Sequence, residues 1–61
     1  MKVKEFLNVL NMQVKYKVTD RRSKEEINLY TENGKVNNEA LEKVIYMVFQ
    51  ENDGTLNITT Y

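Results

Sequence analysis

Hydrophobic positions along the chain fall into two periods. Val3, Phe6, Leu7 and Leu10 recur at the spacing of one helix face, with Lys2, Lys4, Glu5 and Asn8 mostly on the other side. Asn11 marks the expected stop of that helix. From residue 12 the period changes to two. Met12, Val14, Tyr16 and Val18 point one way, and Gln13, Lys15, Lys17 and Thr19 the other, which predicts a half-buried strand with Tyr16 in the core. The polar stretch Asp20-Arg21-Arg22-Ser23-Lys24 reads as a connector. A second strand follows, with Ile27 and Leu29 on one face and Asn28 and Tyr30 on the other. Asn33-Gly34 signals a tight turn, because both residues tolerate positive φ. Asn37 then fits the cap of a short helical turn, with Glu39 at its positive end and Val36 placed to staple onto Leu41.

The segment 44–49 supports two readings. Leu41, Val44, Ile45, Val48 and Phe49 recur at helical spacing. Yet Val44 to Phe49 is made largely of strand-forming residues, and Asp53-Gly54, which follows, is a strong hairpin signal. Beyond it Leu56, Ile58 and Thr60 alternate with polar residues. Folding back across Asp53-Gly54 sets Phe49 opposite Ile58 and Met47 opposite Thr60. Propensity and turn chemistry agree on the hairpin, so it is the preferred reading. The expected fold is a single α+β domain spanning residues 1–61, an N-terminal helix packed on an antiparallel sheet in the order α-β-β-short α-β-β. The alternative is α-β-β-α-β.

Each reading exposes a different surface. The hairpin reading leaves Val44, Tyr46 and Val48, with Tyr30 and Tyr61, on a sheet face that no helix covers. Such a face calls for a partner, most simply a second copy. The helix reading instead bares Lys15, Lys17, Asn28, Tyr30, Asn57 and Tyr61, where bases alternating with aromatics form a platform for single-stranded nucleic acid.

Composition narrows the chemistry. The 61 residues contain no His, Cys, Trp or Pro. Without thiols there is no disulfide framework and no thiolate metal site, and without His the commonest general base and metal ligand are missing. Ser23 is the only serine and has no His to activate it. Glu25 and Glu26 are adjacent at a strand start and point to opposite faces, so they do not form a catalytic pair. Two glycines, twenty positions apart, cannot build a phosphate-binding loop. The reading is therefore a non-enzyme without cofactor or metal. The longest uncharged apolar run, Val44 to Phe49, is too short to span a bilayer, and the first residues lack a signal-peptide pattern, so a cytoplasmic protein without membrane association is expected.

Charge adds one feature. Nine basic residues balance nine acidic ones, which argues against a general polycation and against an acidic nucleic-acid mimic. The balance is uneven along the chain. Residues 1–24 carry seven basic and two acidic residues, and residues 25–61 the reverse, giving +5 and −5. Either a dipolar surface orients a partner, or cross-strand pairs between Lys15 or Lys17 and acids on strand two neutralise it. The cluster Arg21, Arg22, Lys24, with Lys15, Lys17 and Tyr30, is the candidate nucleic-acid contact. A chain this short buries little apolar surface, so extra burial from self-association is expected.

The opening Met1-Lys2-Val3-Lys4-Glu5-Phe6-Leu7 and the closing Asp53-Gly54-Thr55-Leu56-Asn57-Ile58 resemble short proteins encoded by phages and mobile elements of low-GC bacteria. The resemblance covers the two ends and the order of elements. It implies an accessory factor, including inhibitors of host enzymes or defence systems. Together these readings point to a homodimeric protein-interaction module with Val44, Tyr46, Val48 and Tyr61 in its interface, and the resemblance adds a host protein as a further partner. A small single-strand nucleic-acid-binding protein is the alternative.

Overall fold

The computed structural model describes residues 1–10 and 13–61. Asn11, the expected helix stop, and Met12, the first residue of the expected strand, lie outside the described residues. The order of elements is α1 (Val3–Val9), β1 (Tyr16–Asp20), β2 (Glu26–Ile27), α2 (Asn38–Leu41), β3 (Ile45–Gln50) and β4 (Leu56–Thr60). The α+β reading therefore holds, and residues 45–50 are strand rather than helix.

One part of the expected sheet is corrected. The strand order is β2-β1-β4-β3, and the central pair, β1 with β4, is parallel. Both hairpins are antiparallel, but the sheet is mixed rather than antiparallel throughout. The cause is the edge that β4 joins. β2 holds one edge of β1 through Val18↔Ile27 and Thr19↔Glu26, so the second hairpin docks on the free edge, with Val18 beside Ile58.

The β3–β4 register also differs from the expected one by a residue. Glu51 N–H donates to the Thr55 carbonyl at 2.8 Å and Gly54 N–H to the Glu51 carbonyl at 2.9 Å. The loop thus has three residues, Asn52, Asp53 and Gly54, not two. Gly54 sits at φ +91°, as the last position of such a loop requires. Phe49 consequently faces Asn57 and Met47 faces Thr59, not Ile58 and Thr60. A β-bulge between Ile45 and Met47 then takes up Tyr46 as the extra residue.

The helices cover one face of the sheet. Val3, Val18 and Ile58 are fully buried there, with Phe6, Leu7, Ile27, Leu41 and Ile45 packed around them. At α2, Asn37 accepts from Ala40 N–H at 3.2 Å, the cap read from the sequence. The chain start is stitched to β3: Val3 N–H donates to Lys43 carbonyl and Ile45 N–H to Met1 carbonyl. Tyr16 is not in the core. It is 38% exposed, because β2 spans only two residues and ends short of it. Leu29 and Tyr30 fall outside the second strand, and Tyr30 forms a lone bridge with Val36, which is exposed.

Candidate interaction surface

Strand alternation decides what the uncovered face carries. With Val18 and Ile58 turned into the core, Lys17 and Thr19 of β1 and Asn57 and Thr59 of β4 must point the other way. Glu26 shares their side through its pairing with Thr19. Met47 and Phe49 share it through Thr59 and Asn57.

A polar network fills the middle of this face. The hydroxyls of Thr19 and Thr59 donate to the Asn57 side-chain carbonyl at 2.7 and 3.3 Å. Asn57 Nδ2 donates to Glu51 Oε2 at 3.2 Å, and Lys17 Nζ closes the chain on the same oxygen at 2.9 Å. That contact raises the Lys17 pKa, since its carboxylate partner favours the ammonium. Asn57 and Thr59 are buried although no helix lies over them, because the flanking side chains stand above them. Among the described residues no buried side-chain polar atom lacks a partner.

Apolar and aromatic side chains flank the network along β3 and the chain end. Tyr46 is 47% exposed, Met47 49%, Phe49 43% and Tyr61 56%. The ring of Tyr46 meets that of Tyr61 edge-on, with centroids 5.2 Å apart at 76°. Arg21 lies over both rings, its Cζ 4.5 Å from the Tyr46 centroid and 5.4 Å from that of Tyr61. Its position is fixed by the backbone, where Arg21 N–H donates to the Thr60 carbonyl at 2.9 Å. Such stacking orders a long cation and leaves its donors facing outward. The network, Tyr46, Met47, Phe49 and Arg21 line an open groove of about 500 Å³, with Asp20 and Lys24 at its edge.

The residues singled out from sequence are divided by the fold. Tyr46 and Tyr61 come together on the open face. Val44 is exposed at the start of β3, beside Lys2. Val48 is turned away from this surface and packs against the core opposite Ile58. The three-residue loop explains it: the one-residue shift of register sets Val48 opposite Ile58 and turns Met47 and Phe49 outward, and the bulge then returns Ile45 to the covered face with Tyr46 as the extra residue. Of the basic set, Lys17, Arg21 and Lys24 line the groove. Arg22 sits in the β1–β2 turn, where its N–H donates to Asp20 Oδ1 at 2.8 Å. Lys15 precedes β1 and is exposed, and its carbonyl accepts from Leu56 N–H. Tyr30 lies beyond β2, in a hollow beside Tyr16 and Ile27, apart from the arginines. Sequence reading missed Met47, Phe49 and the Asn57 network. Asn52 before Asp53-Gly54 is compatible with a three-residue loop, which would have exposed both apolar residues. For the bulge the sequence carries no signal.

Part of the charge asymmetry is neutralised inside the molecule. Lys2 and Lys4 both bind Glu42, Lys17 binds Glu51, and Lys43 approaches Asp20 at 3.7 Å. Hydrogen bonds from Lys2 and Lys4 hold the Glu42 carboxyl down to about 2. The partners are not acids of strand two, as read from sequence, but Glu42 and Glu51. Among the described residues Arg21, Arg22 and Lys24 make no ion pair, although Asp20 shares their turn and its pKa is lowered, chiefly by hydrogen bonds from the Ser23 and Arg22 N–H groups and in part by the Arg22 charge. The three form a cationic end of the sheet, opposite the hairpin tip that carries Glu51 and Asp53.

No described helix is long and apolar enough to cross a membrane, and no described group of acidic side chains is arranged to hold a metal ion. No family model, no curated protein and no solved structure matches the chain.

Proposed function

We propose that the chain is a non-enzymatic protein-interaction module that binds through the open face of its sheet, with a second copy of itself as first partner. One observation carries this reading: Tyr46, Met47, Phe49 and Tyr61 stand together and half-exposed around a floor that is already hydrogen-bonded. Tyr, Phe, Met and Arg are the residue types enriched where protein interfaces bury surface. A satisfied polar floor can be covered without orphaning a donor, so covering it costs little. The resemblance of the two chain ends to phage and mobile-element proteins supports an accessory role, such as inhibition of a host enzyme or defence system.

Sedimentation at micromolar concentration tests self-association. The expected mass is twice the 7.2 kDa of one chain. Tyr46→Asp, which puts a charge among the rings, should sediment as a single chain with an unchanged circular dichroism spectrum. A native chain that stays single at every concentration, or a variant that stays paired, refutes the reading.

A second reading has its own observation. Arg21 stacked on two tyrosines, beside unpaired Arg22 and Lys24, offers phosphate contacts next to aromatic faces for bases. It predicts a gel-shift complex with single-stranded DNA or RNA at low salt that weakens steeply as salt rises. Absence of any complex at low salt disposes of it.

A further inference from the structure

We infer that the outer edge of β3 pairs with the same edge of a second copy, antiparallel about a two-fold axis at Phe49, so that the two sheets join into one. The contact lies at the sheet edge. It goes beyond the open-face reading above and does not depend on that face being covered.

The strand order leaves β2 and β3 at the two edges, and they differ. β2 is only Glu26–Ile27, with Glu25 before it. An edge so short and charged is a poor template for a further strand. β3 runs over Ile45–Gln50 without a charged residue or a proline. Its first part is shielded: Val3 N–H donates to the Lys43 carbonyl, Ile45 N–H donates to the Met1 carbonyl, and the bulge follows at Tyr46. Among the described residues nothing pairs with 47–50 on the outer side.

Alternation in an antiparallel ladder tells which backbone groups are free there. Glu51 N–H donates to the Thr55 carbonyl, so Glu51 bonds toward β4, and Phe49, two residues back and opposite Asn57, does the same. Val48 and Gln50 therefore turn their N–H and C=O groups outward. Leu56 agrees: it lies opposite Gln50 but donates to the Lys15 carbonyl, away from β3. A two-fold axis at Phe49 sets Val48 of each copy opposite Gln50 of the other, and every one of these free groups gains a hydrogen bond. Phe49 meets its own copy in the closer, non-hydrogen-bonded position, where a cross-strand aromatic pair is favourable. Met47 falls opposite Glu51, so no like charges oppose each other. An axis at Val48 would instead set Gln50 against Tyr46, where the bulge makes the edge irregular.

Any strand satisfies the four backbone groups, but a second copy also matches their bounds. The open stretch ends at the bulge on one side and at the hairpin loop on the other, and the two-fold axis sets loop beside bulge at both ends. Pairing of one short edge buries less than the ~1,200–2,000 Å² of stable complexes, so association is weak and is sought at millimolar concentration.

Amide hydrogen exchange reads these groups directly. Between low micromolar and millimolar chain, exchange at Val48 and Gln50 should slow by about fivefold or more, with a smaller change at Phe49, which already bonds to β4. N-methylation of the Gln50 amide in a chemically synthesised chain removes one outward donor and alters no side chain. It should abolish the slowing at Val48 and leave the circular dichroism spectrum unchanged. Phe49→Lys, which opposes two cations across the seam, should abolish it too and serves if the methylated chain does not fold. Slowing that survives both changes overturns the inference. A dimer mass in sedimentation with unchanged exchange at Val48 and Gln50 also overturns it, while the open-face reading stands. A single-chain mass up to millimolar concentration removes both and leaves the edge to a strand from another protein.

Discussion

The two faces of one four-stranded sheet solve opposite problems with neighbouring residues. On the covered face Val18 and Ile58 sit side by side under Val3, with no polar side chain needed between them. On the other face, one residue along in each strand, Thr19, Asn57 and Thr59 form a hydrogen-bonded floor, and the apolar groups stand beside it along β3. The first arrangement is a core: removing any member leaves a hole. In the second the polar groups are satisfied by one another, and the apolar groups stay half-exposed beside them. Tyr46 and Tyr61 are held in position by stacking with Arg21, and the three-residue loop sets the register that turns Met47 and Phe49 outward.

That contrast can be broken from either side. Ile58→Ala empties the centre of the core and should cost about 2–5 kcal/mol of stability, which in so small a domain approaches loss of the fold. Met47→Ala, a deletion of similar size on the open face, should leave the unfolding free energy of the diluted single chain nearly unchanged and weaken only self-association. Urea titrations of the two variants measure this, and equal losses would mean that the faces are not distinct. Asn57→Ala tests the floor. It strands two threonine hydroxyls and Glu51, and about 1–3 kcal/mol is expected from unsatisfied buried groups. A neutral result would show that the floor is wet. Gly54→Ala should cost about 1 kcal/mol by forcing a side chain into positive φ at the loop that sets the register. No loss there would contradict the positive φ at Gly54.

The smallest effect is electrostatic. The Glu42 carboxyl lies near 2 in the folded chain against an ordinary 4.5, through its hydrogen bonds to Lys2 and Lys4. A depressed carboxylate stabilises the fold fully above its unfolded value and loses that contribution as pH falls through the folded one. Stability should therefore decline between pH 4.5 and pH 2, and Glu42→Gln should flatten that decline. The pair is exposed, so the change is modest. Parallel acid profiles for the two proteins would remove Glu42 from the account.

Much of the covered face is legible in the residues. The Val3-Phe6-Leu7 stripe gives α1, Asn37 gives the cap of α2, and Val18 and Ile58 reach the core by plain alternation. What sequence could not supply is whatever a single residue shifts. A loop of three rather than two residues displaces every pair of β3–β4 by one. That shift reverses the face of Val48, Met47 and Phe49, although each keeps its propensity for strand, and the bulge at Tyr46 then returns Ile45 to the core side. Parallel pairing of β1 with β4 is equally silent, because it joins segments some forty residues apart that have no local chemistry in common. Tyr46 and Tyr61 were legible as surface residues. Their union with Arg21 was not, since it needs three distant segments to converge at one end of the sheet.

The central claim is that the open face, and not the helix-covered one, is the part of the molecule made to be buried by another chain. Residue-resolved nuclear magnetic resonance over a dilution series from millimolar to low micromolar tests it most directly. The account predicts shifts that move with concentration at Tyr46, Met47, Phe49, Asn57 and Tyr61, while Phe6, Leu7 and Val18 stay fixed. Spectra unchanged across the whole series, or changes confined to the helix side, would contradict it.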